Sequence, residues 1–287
     1  MLDILDLDVL DLDLDTGAAR TTEDIFTGRS HTMPMGRIFG GQVLAQALVA
    51  ADRTTDADRI PHSMHGYFLR PGDASRGITL AVDRIHDGRS FSTRRTQVFQ
   101  NGVPIFSMIA SFEHESPGLD HQAAPPEGIL PPEQAQDRQA AALHPLSRRQ
   151  LIDSPIEVVH AEGAIYERVP DERVPHQNVW LRTRRPIGDD PAVHRAVLAY
   201  MSDMTIQEPV LRAHGVPWAQ PGLRLASLDH AMWWHRPARV DQWLLYTQSS
   251  PSARAGRGLS TGRIFTREGV LVATVAQEVM VRVPAAP

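Results

Sequence analysis

With 287 residues, 42% of them hydrophobic and 22% charged, the chain can bury a full core as one large or two smaller domains. It has no cysteine, which excludes disulfides, thiolate metal sites and a cysteine nucleophile. The formal charge of -5 argues against a general nucleic-acid surface, and no apolar run reaches the ~18 residues of a membrane-spanning helix.

The N-terminal stretch MLDILDLDVLDLDLDTG alternates Leu or Val with Asp, the pattern of a packed arm, either a short amphipathic helix or an edge strand. It is acidic where a targeting peptide is basic, so a cytoplasmic location is expected. The first strong helix signal runs from Gly40 to Arg53: Val43, Ala47 and Ala50 form a stripe that Leu44 and Leu48 widen, and the glycines precede it. SMHGYFLRPG and GITLAVDRIHDG read as extended. Ser90 to His114 reads as two strands around Asn101-Gly102, a strong hairpin signal. From Glu115 to about Gln150 the chain is rich in Pro, Gln, Glu and His, which predicts a connector carrying one short helix near Glu133 to Leu143.

The second half repeats this order. IYERVP and HQNVWLRTRR are extended, and Val193 to Met204 is helical, with Val193, Ala196, Val197, Tyr200 and Met204 on one side. Strands follow in LASLDHAMWWHRP, VDQWLLYTQSS, GRGLSTGRIFT and VLVATVAQEVMVRVP. Three features match in order at a nearly constant offset: Arg70-Pro71 with Arg236-Pro237, the segment from Arg89 with that from Arg257, and Asn101-Gly102 with Glu268-Gly269. Such matches predict a duplication. The expected layout is a unit over 1–115, a connector over 116–150 and a second unit over 151–287. Each is an antiparallel sheet whose apolar face is covered by a helix, in the α+β class.

Six blocks carry a resemblance to a known family. They are GRIFGGQVLAQAL (Gly36 to Leu48), HSMHGYFLRPGD (His62 to Asp73), DGRSFSTRRTQVFQNGVPIF (Asp87 to Phe106), LDHAMWWHRP (Leu228 to Pro237), DQWLLY (Asp241 to Tyr246) and GVLVATVAQEVMVR (Gly269 to Arg282). Together they resemble the acyl-CoA thioesterase II (TesB-type) family, which implies a double hotdog fold and hydrolysis of acyl-CoA to free fatty acid and coenzyme A. In that family the site combines an Asp on the second helix, a Thr or Ser on the following strand and a Gln on the last strand. The matching positions are Asp203, Ser227 and Gln277. Ser227 stands where many relatives have Thr; it keeps the hydroxyl and loses the methyl that restricts its rotamer. Coenzyme A is then part of the substrate, and no separate cofactor is implied.

The residues themselves are compatible with that chemistry. Asp203 falls beside the apolar stripe of its helix, where a carboxylate needs a partner or water; a solvated helix end is the plainer alternative. Gln277 shares a strand face with Leu271, Ala273, Val275 and Val279, so its amide needs a partner as well. A G-x-S-x-G elbow and cysteine are both absent, so an attacking water oriented by Asp203, Ser227 and Gln277 fits better than a covalent route. Gly40-Gly41 could offer backbone donors to an oxyanion or simply start a helix. Among Arg89, Arg94, Arg95, Arg254, Arg257 and Arg263, one or two are candidates for coenzyme A phosphates. His62, His65, His230 and His235 match no zinc spacing; they are expected to pack on Tyr67 or Trp233, or to bond Asp229. Trp233, Trp234 and Trp243 are expected in the sheet core. Uncovered sheet edges predict a homo-oligomer, dimer or tetramer. The rival functions are a silent acyl-CoA-binding scaffold and an enoyl-CoA hydratase-like hotdog enzyme.

Overall fold

The computed structural model describes residues 2–6, 8–9, 24–31, 36–142 and 154–284. Most of the predicted N-terminal arm and the tail of the predicted connector therefore lie outside the described residues. Contacts divide the chain into two compact units. One holds Met1–Leu119 with Arg195–Tyr200 and Ala231–Trp233; the other holds Asp120–His194, Met201–His230 and Trp234–Pro287.

In the first unit, strands β1 (Asp8–Val9), β2 (Asp24–Gly28), β3 (Arg59–Phe68), β4 (Ile78–Asp87), β5 (Phe91–Gln100) and β6 (Val103–His114) form an antiparallel sheet in the order β1-β2-β4-β5-β6-β3. The β5–β6 hairpin turns on Asn101 and Gly102 at φ 51° and 73°, the left-handed pair that a tight hairpin turn requires. Helix α1 (Gly40–Asp52) buries Val43, Leu44, Ala47 and Leu48, and Thr96 Oγ1 of β5 donates to Ala47 O at 3.3 Å. Each fully buried leucine is worth about 1.5–3 kcal/mol.

Two glutamines on α1 are buried as well. Gln42 Nε2 donates to Gln46 Oε1 at 3.0 Å, while Gln46 Nε2 donates to Ile4 O at 2.7 Å and Arg29 O at 2.9 Å. These bonds tie down the N-terminal segment, where Ile4 and Leu5 are buried. A side chain at Gly41 would put its Cβ 2.3 Å from Tyr200 O and 2.5 Å from the Phe39 ring, so close packing accounts for that glycine. The opposite face of this sheet leaves Tyr67, Phe91 and Ile109 exposed.

In the second half of the chain, β7 (Ile156–His160), β8 (His176–Thr183), β9 (Arg224–Ser227), β10 (Asp229–Trp234), β11 (Leu244–Arg254), β12 (Arg257–Thr266) and β13 (Leu271–Arg282) run in the order β10-β13-β12-β11-β8-β7, with β9 also on β13. Helix α2 (Pro132–Ala142) lies in the predicted connector. Helix α3 (Pro191–Ser202) starts at Asp190, whose side chain accepts from Ala192 N at 2.8 Å, with Pro191 at the first helical position. Helix α4 (Glu208–His214) ends at Gly215, φ 66°. Its Val210 fills the space above Gly258 of β12, where a Cβ would lie 2.6 Å away.

The connector is a strap rather than a loose tether. Ala135, Ile129 and Leu130 pack on a cluster of Val159, Trp180, Trp243, Leu245, Phe265 and Leu271 on the outer face of the second sheet. Trp180 Nε1 donates to Leu130 O at 2.9 Å, and Gln139 Nε2 to Val158 O at 2.9 Å.

Several expectations are corrected. IYERVP is not a strand; the strand is β7, buried along its whole length. Trp243 is buried, but Trp233 and Trp234 are only half-buried. Leu271 does not share a face with Gln277. Ile264 pairs with Ala273 but Phe265 with Leu271, so Val272 is an extra residue that turns Leu271 to the outer face.

Candidate active site

The site is built where α3 stops. Asp203 is the C-cap of α3, in right-handed helical geometry, and only 4% exposed. Ser227 ends β9 and Gln277 lies within β13. Ser227 pairs with Val279, so Gln277 is its diagonal neighbour, two residues along the same face. The structure brings all three predicted residues together. Ser227 Oγ donates to Asp203 Oδ1 at 3.4 Å, long for a hydroxyl bond, and Gln277 Nε2 donates to Ser227 Oγ at 2.9 Å.

The chain of bonds continues beyond them. Gln277 Oε1 lies 2.5 Å from His230 Nδ1, and His230 Nε2 lies 2.9 Å from Ser202 Oγ. Tyr246 Oη donates to the Ser202 carbonyl at 2.8 Å. Burial pushes the His230 pKa down to about 4, against the opposing effect of the Gln277 bond, so the ring is neutral at pH 7. His230 does not meet Asp229 as expected. Neighbouring strand residues point to opposite faces, and Asp229 instead accepts from Glu278 N at 2.6 Å. Burial raises the Asp229 pKa, partly offset by that bond.

A second buried network supports the turn that follows Asp203. Thr205 sits at φ 62°, rare for a residue with a branched Cβ. Gln248 Nε2 donates to Thr205 Oγ1 at 2.8 Å, and Gln177 Nε2 to Gln248 Oε1 at 2.6 Å and Glu208 Oε2 at 2.9 Å. Glu208 also accepts from His160 Nε2 at 2.8 Å and Trp218 Nε1 at 2.8 Å. His160 Nδ1 faces Gln139 Oε1 at 3.2 Å, so both ring nitrogens lie against side-chain oxygens.

The softer candidates divide. Arg94 is excluded as a phosphate ligand: it is buried and spends its guanidinium on Asp87 at 2.6 Å, Thr54 at 2.9 Å and backbone carbonyls. Arg95 pairs with Asp83, and Arg257 with Glu278 at 3.0 Å. His65 packs edge-on against Trp233 as expected, whereas His62 bonds Ser111 Oγ at 2.8 Å and His235 bonds Thr274 Oγ1 at 2.9 Å. Among the described residues no group of three or more His, Asp or Glu could hold a metal ion, and no helix is long and apolar enough to cross a membrane.

Comparison with known proteins gives the family of the chain. The acyl-CoA thioesterase family model matches residues 148–280, and the acyl-CoA thioesterase N-terminal domain model matches 29–113. Human acyl-coenzyme A thioesterase 8 is 37% identical over 278 residues, covering 91% of this chain and 85% of that protein. The chain belongs to the acyl-CoA thioesterase family. The acyl-CoA thioesterase II TesB2 of Mycobacterium marinum superimposes with a TM-score of 0.77 at 40% identity, over 100% of this chain and 98% of that one. An Alicyclobacillus acidocaldarius protein with a hot dog fold has a TM-score of 0.75 at 19% identity, over 99% and 98% of the two chains, a likeness of fold alone. This thioesterase is thus an α+β double hotdog, two helix-wrapped antiparallel sheets fused in one chain. It is a hydrolase that cleaves acyl-CoA to free fatty acid and coenzyme A.

Proposed function

We propose that hydrolysis occurs by direct attack of water at Asp203, Ser227 and Gln277, in the C-terminal of two hotdog units that span 1–115 and 151–287 around a 116–150 connector. The observation that carries this reading is the continuous bond path from Gln277 through Ser227 to a buried carboxylate. A carboxylate buried beside a hydroxyl that Gln277 orients can act as acceptor for a water proton.

In the proposed step Asp203 takes that proton as the water oxygen bonds to the thioester carbonyl carbon. The carbon–sulfur bond then breaks, and the leaving sulfur takes that proton from Asp203 as coenzyme A, releasing the carboxylic acid and restoring the carboxylate. Ser227 and Gln277 hold the water and the carboxylate in register, which supplies positioning rather than new chemistry. A cytoplasmic location and a homodimer or homotetramer belong to the same proposal; exposed Tyr67, Phe91 and Ile109 support association. Replacement Asp203→Ala is expected to abolish thiol release from acyl-CoA while the circular dichroism spectrum stays that of the parent. Full turnover by that variant would refute the assignment.

A further inference from the structure

We infer that His230 and Ser202 are positioning residues that set the polarity of the site, by holding the Gln277 amide in the one orientation that aims the Ser227 hydroxyl at Asp203. The inference rests on the proposed roles of Asp203, Ser227 and Gln277.

The direction of each bond follows from the carboxylate end. As the proposed base, Asp203 is a carboxylate that can only accept, so the hydroxyl proton of Ser227 is committed to it. Ser227 Oγ must then accept from Gln277, which turns the amide nitrogen toward Ser227 and its oxygen toward His230. An amide oxygen has no proton to give, so His230 Nδ1 carries the hydrogen. Being neutral, the ring leaves Nε2 bare, and Ser202 Oγ must donate to it. Every donor in the series Ser202, His230, Gln277, Ser227 thus points toward Asp203.

The opposite orientation is the one that Ser202 and His230 guard against. With the amide flipped, Gln277 would present oxygen to Ser227 and draw the hydroxyl proton away from Asp203. The two orientations have almost the same shape, so packing alone discriminates weakly between them. The Nδ1–H tautomer, which Ser202 favours when it donates to Nε2, discriminates strongly, because the flipped amide would set Nε2–H of Gln277 against the Nδ1–H of His230. All members of the series except half-buried Ser227 are at most 4% exposed, so water does not replace a lost bond.

The test measures thiol release from acyl-CoA for His230→Leu, His230→Asn, Ser202→Ala and Asp203→Ala, together with ring 15N correlation spectra of the unaltered enzyme. The Leu variant should lose about ten- to a hundredfold in kcat with KM little changed, the effect of misorienting a reacting group. Asn should recover much of that loss, because its amide nitrogen takes the place of Nδ1. Ser202→Ala should shift the ring spectrum toward the Nε2–H tautomer and lower kcat less than Leu does. The unaltered enzyme should show the Nδ1–H tautomer, a readout that does not depend on any variant folding.

An Nε2–H tautomer in the native enzyme, parental kcat in His230→Leu, or Asn no better than Leu would each overturn the inference while an inactive Asp203→Ala left the site assignment standing. Full activity in Asp203→Ala would overturn both.

Discussion

Replacing Glu208 with glutamine tests whether the second buried network is charged. Its two carboxylate oxygens collect three donors: Trp218 Nε1 on one, His160 Nε2 and Gln177 Nε2 on the other. Burial alone would raise the Glu208 pKa, but the His160 charge and the bonds from His160, Trp218 and Gln177 outweigh it and hold it below the usual carboxylate range. Glutamine keeps one oxygen and turns the other into a donor, which must then face either the Trp218 indole or the His160 ring. Breaking a buried pair of this kind costs about 3–5 kcal/mol. For a domain of this size that lowers the melting temperature by roughly 6–20 °C.

The assay is thermal unfolding followed by circular dichroism at pH 7 and again near pH 4. A carboxyl depressed in the folded state contributes its stability above its unfolded pKa, about 4.3, and loses it as pH falls through the lower folded value. The gap between parent and variant should therefore narrow in acid. A melting temperature within about 2 °C of the parent at pH 7 would show that Glu208 is already neutral in the native protein, and the charged description of the network would be wrong.

Two further substitutions probe packing. Gly41→Ala should destabilise the first unit by about 1–3 kcal/mol, because its methyl would overlap the Tyr200 carbonyl and the Phe39 ring, and urea unfolding should show this as a lower midpoint at unchanged slope. Ser260→Ala should leave kcat unchanged and stability equal or raised by up to about 1 kcal/mol, since the Ser260 hydroxyl is buried without a hydrogen-bond partner. A clear loss of stability in calorimetry would mean that the hydroxyl is satisfied in solution.

Much of this organisation was legible in the residues. The stripe of Val43, Leu44, Ala47 and Leu48, the Asn101-Gly102 turn and an amide among apolar neighbours at Gln277 each report a physical constraint that local sequence must meet. What stayed hidden lacks local periodicity. Strand β7 is buried on both faces, so it does not alternate, and α4 spans only seven residues. Ser202 and His230 are ordinary residue types 28 positions apart, and only the fold makes them neighbours. One signal was available: alternation along β10 puts His230 on the face of fully buried Met232, where an imidazole needs two partners. The strap was missed because its proline-rich composition describes a lack of regular structure and says nothing about what the chain lies against.

That strap makes the two halves unlike in how each can meet other molecules. The outer face of the second sheet is sheathed by the chain itself, whereas that of the first presents Tyr67, Phe91 and Ile109 bare. In the proposed homo-oligomer, the patch of the first sheet is then the apolar face left to meet another subunit. The segment left between two duplicated units thereby takes one apolar sheet face out of reach of other molecules.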